Sequence, residues 1–418
     1  MTTERSMRLS YWQKIAMINR DARLTIVSNM GLAFSWGISD VIFNLYFLEA
    51  GFVEDFIGLF LSISSFATAA FAVLAGVLTD RRSRKKTILA GTAVLLIGTG
   101  FEYLTLSPIS LLLAQAFIGI AWAFLGVSWN PYTTSVTTKE ERMHLFSVRY
   151  GFWVIANFIG YLVGGFLPGI WSALGVAPDL FWAYRFTLWI SLIPLAISWL
   201  AIIPMSEDRP QNGDRSFSLG NVRHWRFITK YGAHWSITGL GAGIFVMFLN
   251  IFFTRAFAAD SETIGIIFAI NTVLLATGNF AYPALVDRIG KTWTIIVSQS
   301  LSIPFLIMLS WSPILQIAGI AYIIRSVLMN VQLPVMDVFF MEALDATEQS
   351  TALGVINAGD AVGRGIGLNI GGMLLAAGFI RAPFAVASVF YIVGVVLFYL
   401  FFGRKKEMET ESDSHDLE

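Results

Sequence analysis

Trp36, Asp40 and Asn44 stand four residues apart in one apolar stretch, a spacing that puts all three on a single face of a helix. An ionisable group there costs about 2.5–3.5 kcal/mol at the centre of a membrane, so it must face a cavity or a partner. On that face Asp40 can carry a proton or meet a cation, Asn44 can hydrogen-bond a guest, and Trp36 can cover it. A structural acid bonded to a neighbouring helix accounts for Asp40 equally well. Asp360 and Arg364 are also four apart, acid first, the better order for an intrahelical ion pair. They either neutralise each other or form a titratable pair broken during a functional cycle. Arg325 has no acid within a turn or two, so its charge needs another helix, a hydrated cavity or an anionic guest. Asp337, Glu342 and Glu102 lie toward the ends of their stretches, where exposure is the ordinary explanation.

The elements that must position these groups are membrane helices. Of the 418 residues 56% are hydrophobic and only 13% charged, with 35 Phe and 13 Trp, too little polar surface to cover a soluble fold. Stretches of about 20 apolar residues cross the hydrocarbon as helices. They fall at 24–48, 56–79, 87–106, 109–131, 144–172, 182–204, 230–256, 262–284, 292–310, 314–341, 347–377 and 381–402. With both termini on the cytoplasmic side, the cytoplasmic segments hold 23 of the 28 Lys and Arg, as short loops require. Zero net charge argues against a nucleic-acid partner, and the basic loops suit anionic lipid headgroups. The absence of cysteine excludes disulfides and thiolate metal sites.

The chain also repeats itself. Gly76-Val77-Leu78-Thr79-Asp80-Arg81-Arg82-Ser83-Arg84-Lys85-Lys86 returns 207 residues later as Pro283-Ala284-Leu285-Val286-Asp287-Arg288-Ile289-Gly290-Lys291. The same offset pairs Ile57-Gly58 with Ile264-Gly265, Glu141 with Glu348, and Gly160, Gly164, Gly165 with Gly367, Gly371, Gly372. The expected organisation is a cytoplasmic segment over 1–23, a six-helix bundle over 24–204, a linker over 205–229, a second bundle over 230–403 and a disordered tail over 404–418. Parallel repeats of this size suit a midplane site between halves that rock against each other.

The duplicated loop resembles the signature loop of the major facilitator superfamily of secondary transporters. The resemblance runs from about residue 20 to 403 and implies an all-α integral membrane protein of twelve helices in two pseudo-symmetric bundles. It also implies that the loops latch the halves together, with Gly76, Asp80, Arg81 and Lys85 in the first copy and Asp287 and Arg288 in the second. Ser83 stands where that pattern usually has Gly, and Pro283 replaces the leading Gly of the second copy. Gly151, Gly160, Gly164 and Gly165 partly resemble a motif of the drug:proton antiporter branch, but Gly165 stands where that motif has Pro. Gln115 stands where the same branch carries an Arg. Helix packing alone also accounts for these glycines and for Gly363, Gly367 and Gly371.

Aromatic residues enrich the spans expected to line a cavity, among them Trp36, Phe43, Trp122, Trp129, Trp153, Phe245, Phe248 and Phe252. Asn130-Pro131 and Leu333-Pro334 are candidate flexing points. Four histidines without metal-ligand spacing, and no phosphate-cradling or nucleophile motif, speak against an enzyme. The expectation is a monomeric, multi-pass plasma-membrane transporter, in the inner membrane if the cell is bacterial, with membrane lipids around it. It has no cofactor and a proton gradient as energy source. It exports small amphipathic molecules, with Asp40 and Asp360 as proton-coupling candidates and Trp36, Asn44, Trp122, Trp129, Phe248, Arg325 and Arg364 as substrate contacts. Uptake or facilitated diffusion of a polar metabolite or organic anion, with Arg325 on the negative charge, is one alternative. A transporter-like receptor or lipid-handling protein without solute flux is another.

Overall fold

All twelve apolar stretches form helical passages in the computed structural model, which describes residues 19–81, 83–137, 139–208, 223–345 and 348–403. The first six are α1 (Arg20–Glu49), α2 (Glu54–Arg81), α3 (Arg84–Leu104), α4 (Pro108–Ser135), α5 (Lys139–Ala173) and α6 (Leu180–Ile202). The seventh is α7 (Trp225–Phe245) joined by a 3₁₀ turn, Val246–Phe248, to α8 (Leu249–Phe257). There follow α9 (Ser261–Ile289), α10 (Lys291–Trp311), a tenth passage made of α11 (Leu315–Asn330) and α12 (Leu333–Glu342), α13 (Gln349–Ala376) and α14 (Ala382–Phe398). Among the described residues eleven passages are long and apolar enough to span a bilayer by composition alone. The twelfth, α13, is diluted by Asp360, Arg364, Asn369 and its glycines.

Local chemistry sets the ends. The side chains of Asn19, Asp179 and Asp260 accept the backbone N–H groups of Ala22, Trp182 and Thr263 at 2.8, 3.0 and 2.9 Å, capping α1, α6 and α9. Asp208, at the start of the linker, caps α3 from a distance, accepting from the Lys85 N–H and the Ser83 hydroxyl, each at 3.1 Å. Arg185 closes the other end of α3 by donating to the carbonyls of Tyr103 and Leu104, both at 2.9 Å. The tenth passage breaks at Val331-Gln332, just before Pro334. Pro131, by contrast, lies inside an uninterrupted α4. No break in the helix marks the expected flexing point at Asn130-Pro131. A proline loses only one ladder bond, which neighbouring groups in a packed bundle can make good.

The two halves are related as the repeat requires. In the first, α1 packs on α5 and α6; in the second, α7 packs on α13 and α14. Contact between the halves runs along α2 with α13 and along α5 with α9, two seams that the repeat interchanges. Glycine makes both possible, since backbones in lipid approach closely only where side chains are small. Gly58 lies against Gly372 in one seam and Gly165 against Gly265 in the other. A Cβ on Gly58 would stand 2.6 Å from the Leu368 carbonyl oxygen, and one on Gly265 2.5 Å from that of Tyr161.

All four glycines lie toward the ends expected to be outside. Toward the opposite ends a Cβ on Gly76, Gly151 or Gly354 would meet nothing within 4 Å. The close backbone approach is thus confined to the outer ends, while nearer the inner ends the α5–α9 seam is bridged by side chains, Asn279 donating to the Tyr150 hydroxyl at 3.0 Å.

Candidate functional site

Two cavities flank the junction of the halves, and Arg364 lines both. The first, of about 290 Å³, sits mainly in the N-terminal half. Its walls include Trp36, Asp40 and Asn44 from α1, Glu102 from α3 and Trp122 from α4. Thus the face read from four-residue spacing does meet a cavity. Trp36 and Trp122 meet edge to face with centroids 5.3 Å apart, and Asp40 Oδ2 accepts the Tyr161 hydroxyl at 3.1 Å. Tyr161 in turn packs edge to face on Phe268 of α9, at 5.5 Å. Asp40 is therefore tied to the α5–α9 seam through one phenol.

Glu102 is 3% exposed and lines this cavity, with Oε1 lacking a partner among the described residues. It is not the solvated outer-end acid that its sequence position suggests. Arg185 folds over the adjacent end of α3 instead.

The second cavity, of about 260 Å³, belongs to the C-terminal half and is lined by Arg325, Asp360, His234, Gln299 and Gln332 among others. Arg325 is 4% exposed. Its guanidinium carbon lies 4.7 Å from the ring centre of Phe245 and 4.8 Å from that of Tyr391, so π-faces partly replace its lost hydration. Its Nε and Nη2 have no hydrogen-bond partner among the described residues. Asp360 and Arg364 do pair, Nη2 to Oδ2 at 3.2 Å, and remain partly exposed between the cavities.

Asn44 is engaged as well as cavity-lining: it donates to the Met247 carbonyl and to Asn250 Oδ1, the latter at 3.1 Å. Phe248 is 2% exposed inside the apolar core and lines neither cavity described here. Trp129 packs beside the core around Tyr132 and likewise lines neither. In this conformation both side chains pack among apolar neighbours instead. Of the loop residues, Gly76 faces open space, Asp287 and Arg288 are exposed, and the Lys85 backbone is bound to Asp208. The side chains of Asp80 and Arg81 lie outside the described residues.

Among the described residues one grouping has metal-ligand proximity, His224, Asp345 and Glu348, with ligand atoms within 4.8 Å of one another. Glu348 is already committed, accepting the Arg223 N–H at 2.7 Å and facing His224 Nδ1 at 2.9 Å. This fastens the linker to the start of α13. Burial opposes the charge on Glu348, but the His224 ring and the N–H groups of Arg223 and His224 outweigh it and hold its carboxyl below the usual range.

Sequence reasoning took Glu102 for an exposed end acid and missed Tyr161, Gln299 and Gln332. A buried acid in a span is a usable signal for Glu102. An uncharged amide in an apolar run carries no comparable signal.

Twelve passages in two related halves, with largely apolar cavities that carry a few charged and amide groups at their junction, define a membrane protein of the secondary-transporter class. The sequence profile described as Major Facilitator Superfamily matches residues 25–254 and again 235–417, and the chain belongs to that family. It is a transporter, not an enzyme. Among solved structures it is similar to a mutant form of the nucleoside transporter NupG, with TM-score 0.75 and 16% identity over 92% of this chain and 100% of that one. It is also similar to a bacterial homologue of the human lysosomal transporter Spinster, inward-facing and occupied, with TM-score 0.72 and 15% identity over 90% and 95%. A third is the human organic anion transporter MFSD10, with TM-score 0.64 and 15% identity over 91% and 99%. At such identities these likenesses show the fold alone. Nothing matches among curated protein sequences. The resemblance to the drug:proton antiporter branch goes no further than its glycines.

Proposed function

We propose that the chain moves small organic anions by alternating access, with Arg325 as the anion anchor and Asp40 as the proton-coupling acid. The observation that carries this reading is Arg325: a guanidinium 4% exposed, held between two rings at a cavity wall, with two nitrogens unpaired among the described residues. A buried charge without an acid partner is unfavourable until an anion neutralises it, and a planar guanidinium matches a carboxylate with two parallel bonds. Proton coupling rests on Asp40, since gaining or losing a proton alters its bond to Tyr161 and so bears on the α5–α9 seam. The plasma-membrane location, the monomeric state and the division into bundles around a linker belong to the same proposal, the linker expected over 205–229 ending where α7 begins at Trp225.

The test is uptake of a carboxylate panel into proteoliposomes with an imposed pH gradient. Arg325→Ala is expected to weaken carboxylate binding by about 2–5 kcal/mol, thirtyfold or more, and Arg325→Lys to restore part of it. Carboxylate transport unchanged in Arg325→Ala would overturn the anchor. A second reading, export of amphipathic cations, is favoured by Asp40 beside the Trp36–Trp122 pair. Lipophilic cations in the same assay, with Asp40→Asn, decide it.

A further inference from the structure

The second cavity holds more than a spare positive charge. His234 Nδ1 lies 2.9 Å from the Gly394 carbonyl, which can only accept, so a neutral ring carries its proton there and Nε2 is an acceptor. Gln299, 3.3 Å from that Nε2, must then turn its amide nitrogen toward the ring. Its Oε1 is left buried without a donor among the described residues. Gln332 is oriented the same way by another route. Its amide nitrogen donates to the Met329 carbonyl at 3.2 Å, and its Oε1 is likewise buried and unpaired. Gln299 and Gln332 are each 1% exposed and Arg325 is 4% exposed. All three line one cavity although they come from α10, α11 and the break before α12.

Two acceptors whose orientations are fixed by the protein, on residues that line the same cavity as a guanidinium with unfilled donors, suit a particular kind of guest. We infer that the substrate is a small organic anion that also carries hydrogen-bond donors, O–H or N–H, with its anionic group on Arg325 and its donors on Gln299 Oε1 and Gln332 Oε1. The inference rests on the anion reading above and narrows it. A site built to pair a guest's donors rejects the analogue lacking them, because its own polar groups then stay buried and unpaired.

Matched ligands test it on the full-length protein in detergent, with Kd from calorimetry. Gluconate and hexanoate share a six-carbon carboxylate skeleton and differ in hydroxyls; 5-oxoproline and its N-methyl derivative differ by one N–H. In wild type at least one donor-bearing member is expected to bind roughly tenfold or more tightly than its partner. Which pair shows the gap tells hydroxyl from amide donors. In Gln299→Leu with Gln332→Leu the gap is expected to close while the donor-free carboxylate still binds, which also shows that the fold survives. Equal affinity within both pairs in wild type, with both lost in Arg325→Ala, would overturn this inference and leave the anion reading standing. Binding indifferent to Arg325→Ala would overturn both.

Discussion

Asn44 and Asn250 each reach across the junction to the backbone of the other's passage. Asn44 donates to the Met247 carbonyl, while Asn250 donates to the carbonyls of Asp40 and Val41 at 3.2 and 3.1 Å, and the two amides also bond each other at 3.1 Å. Asn44 and Asn250 are 206 residues apart in sequence, as are Val41 and Met247. With a local shift of one residue from the 207-residue offset, the arrangement is its own image under the repeat. It also accounts for the break in the seventh passage: the 3₁₀ turn at Val246–Phe248 displaces the backbone just where Asn44 binds it. Neither amide titrates, so this clasp is insensitive to pH. Asn44→Ala and Asn250→Ala should each lower stability, and a double-mutant cycle by thermal denaturation should return a coupling of about 1 kcal/mol. Additive losses would mean that the amides do not act together.

The glycine seams should control which side opens. Leu at Gly58 or Gly372 would force a side chain into opposing backbone, where even an added Cβ would stand 2.6 or 2.5 Å from a carbonyl oxygen. Overpacking of this kind costs about 1–3 kcal/mol, enough to shift a two-state equilibrium by about 5-fold to about 160-fold toward the form with the outer ends apart. Because the chain has no cysteine, single introduced thiols report this cleanly. Outer-end thiols should label faster in Gly372→Leu than in its parent, and inner-end thiols more slowly. At Gly76, where an added Cβ meets nothing, Ala should leave outer-end labelling unchanged.

Much of this geometry was readable from the chain because membrane helices obey simple rules. Apolar length located all twelve passages, and the offset aligned Gly58 with Gly265 and Gly165 with Gly372, although only the structure shows that these four residues form the seams. What was hidden depends on contacts between distant residues. Val246–Phe248 contains no glycine or proline to announce a break, and its partner Asn44 lies in the other half. Glu102 looked exposed because its position near a helix end said nothing of Arg185 folding across that end. Gln299 and Gln332 became a pair only when α10 and the α11–α12 break were brought around one cavity. Trp129 and Phe248 show the converse. Aromatic type favours a binding surface and a core alike, and only the rotation of a helix tells them apart.

Asp40→Asn separates charge from shape. The amide can keep a bond to the Tyr161 hydroxyl, now 3.1 Å from Oδ2, but cannot carry a proton. Coupled proton movement should fall to background while carboxylate binding measured without a gradient stays within about twofold. Tyr161→Phe leaves the acid and removes its contact with the seam, and should slow turnover more than it weakens binding. If Asp40→Asn still drives protons with substrate, coupling lies elsewhere, and Glu102 and Asp360 are the next acids to test.

The junction of linker and α13 gives a pH dependence with a definite sign. Glu348 is held below the ordinary glutamate range by His224 and by two backbone N–H groups, despite burial that works the other way. A carboxylate favoured in the folded state lends stability in full above its unfolded pKa, near about 4.3. That contribution fades as pH falls toward and through the lower folded value, where the native and unfolded forms both become protonated. Two of the three donors are main-chain N–H groups that do not titrate, so part of the contribution should persist without the imidazole. Glu348→Gln should therefore melt at a lower temperature than its parent at pH 7 and at pH 8, with the gap closing toward pH 3. His224→Ala should reproduce only part of the loss, because it leaves the backbone donors in place. A gap between Glu348→Gln and parent that persists undiminished at pH 3 would show that the carboxylate's charge is not what fastens the linker to α13.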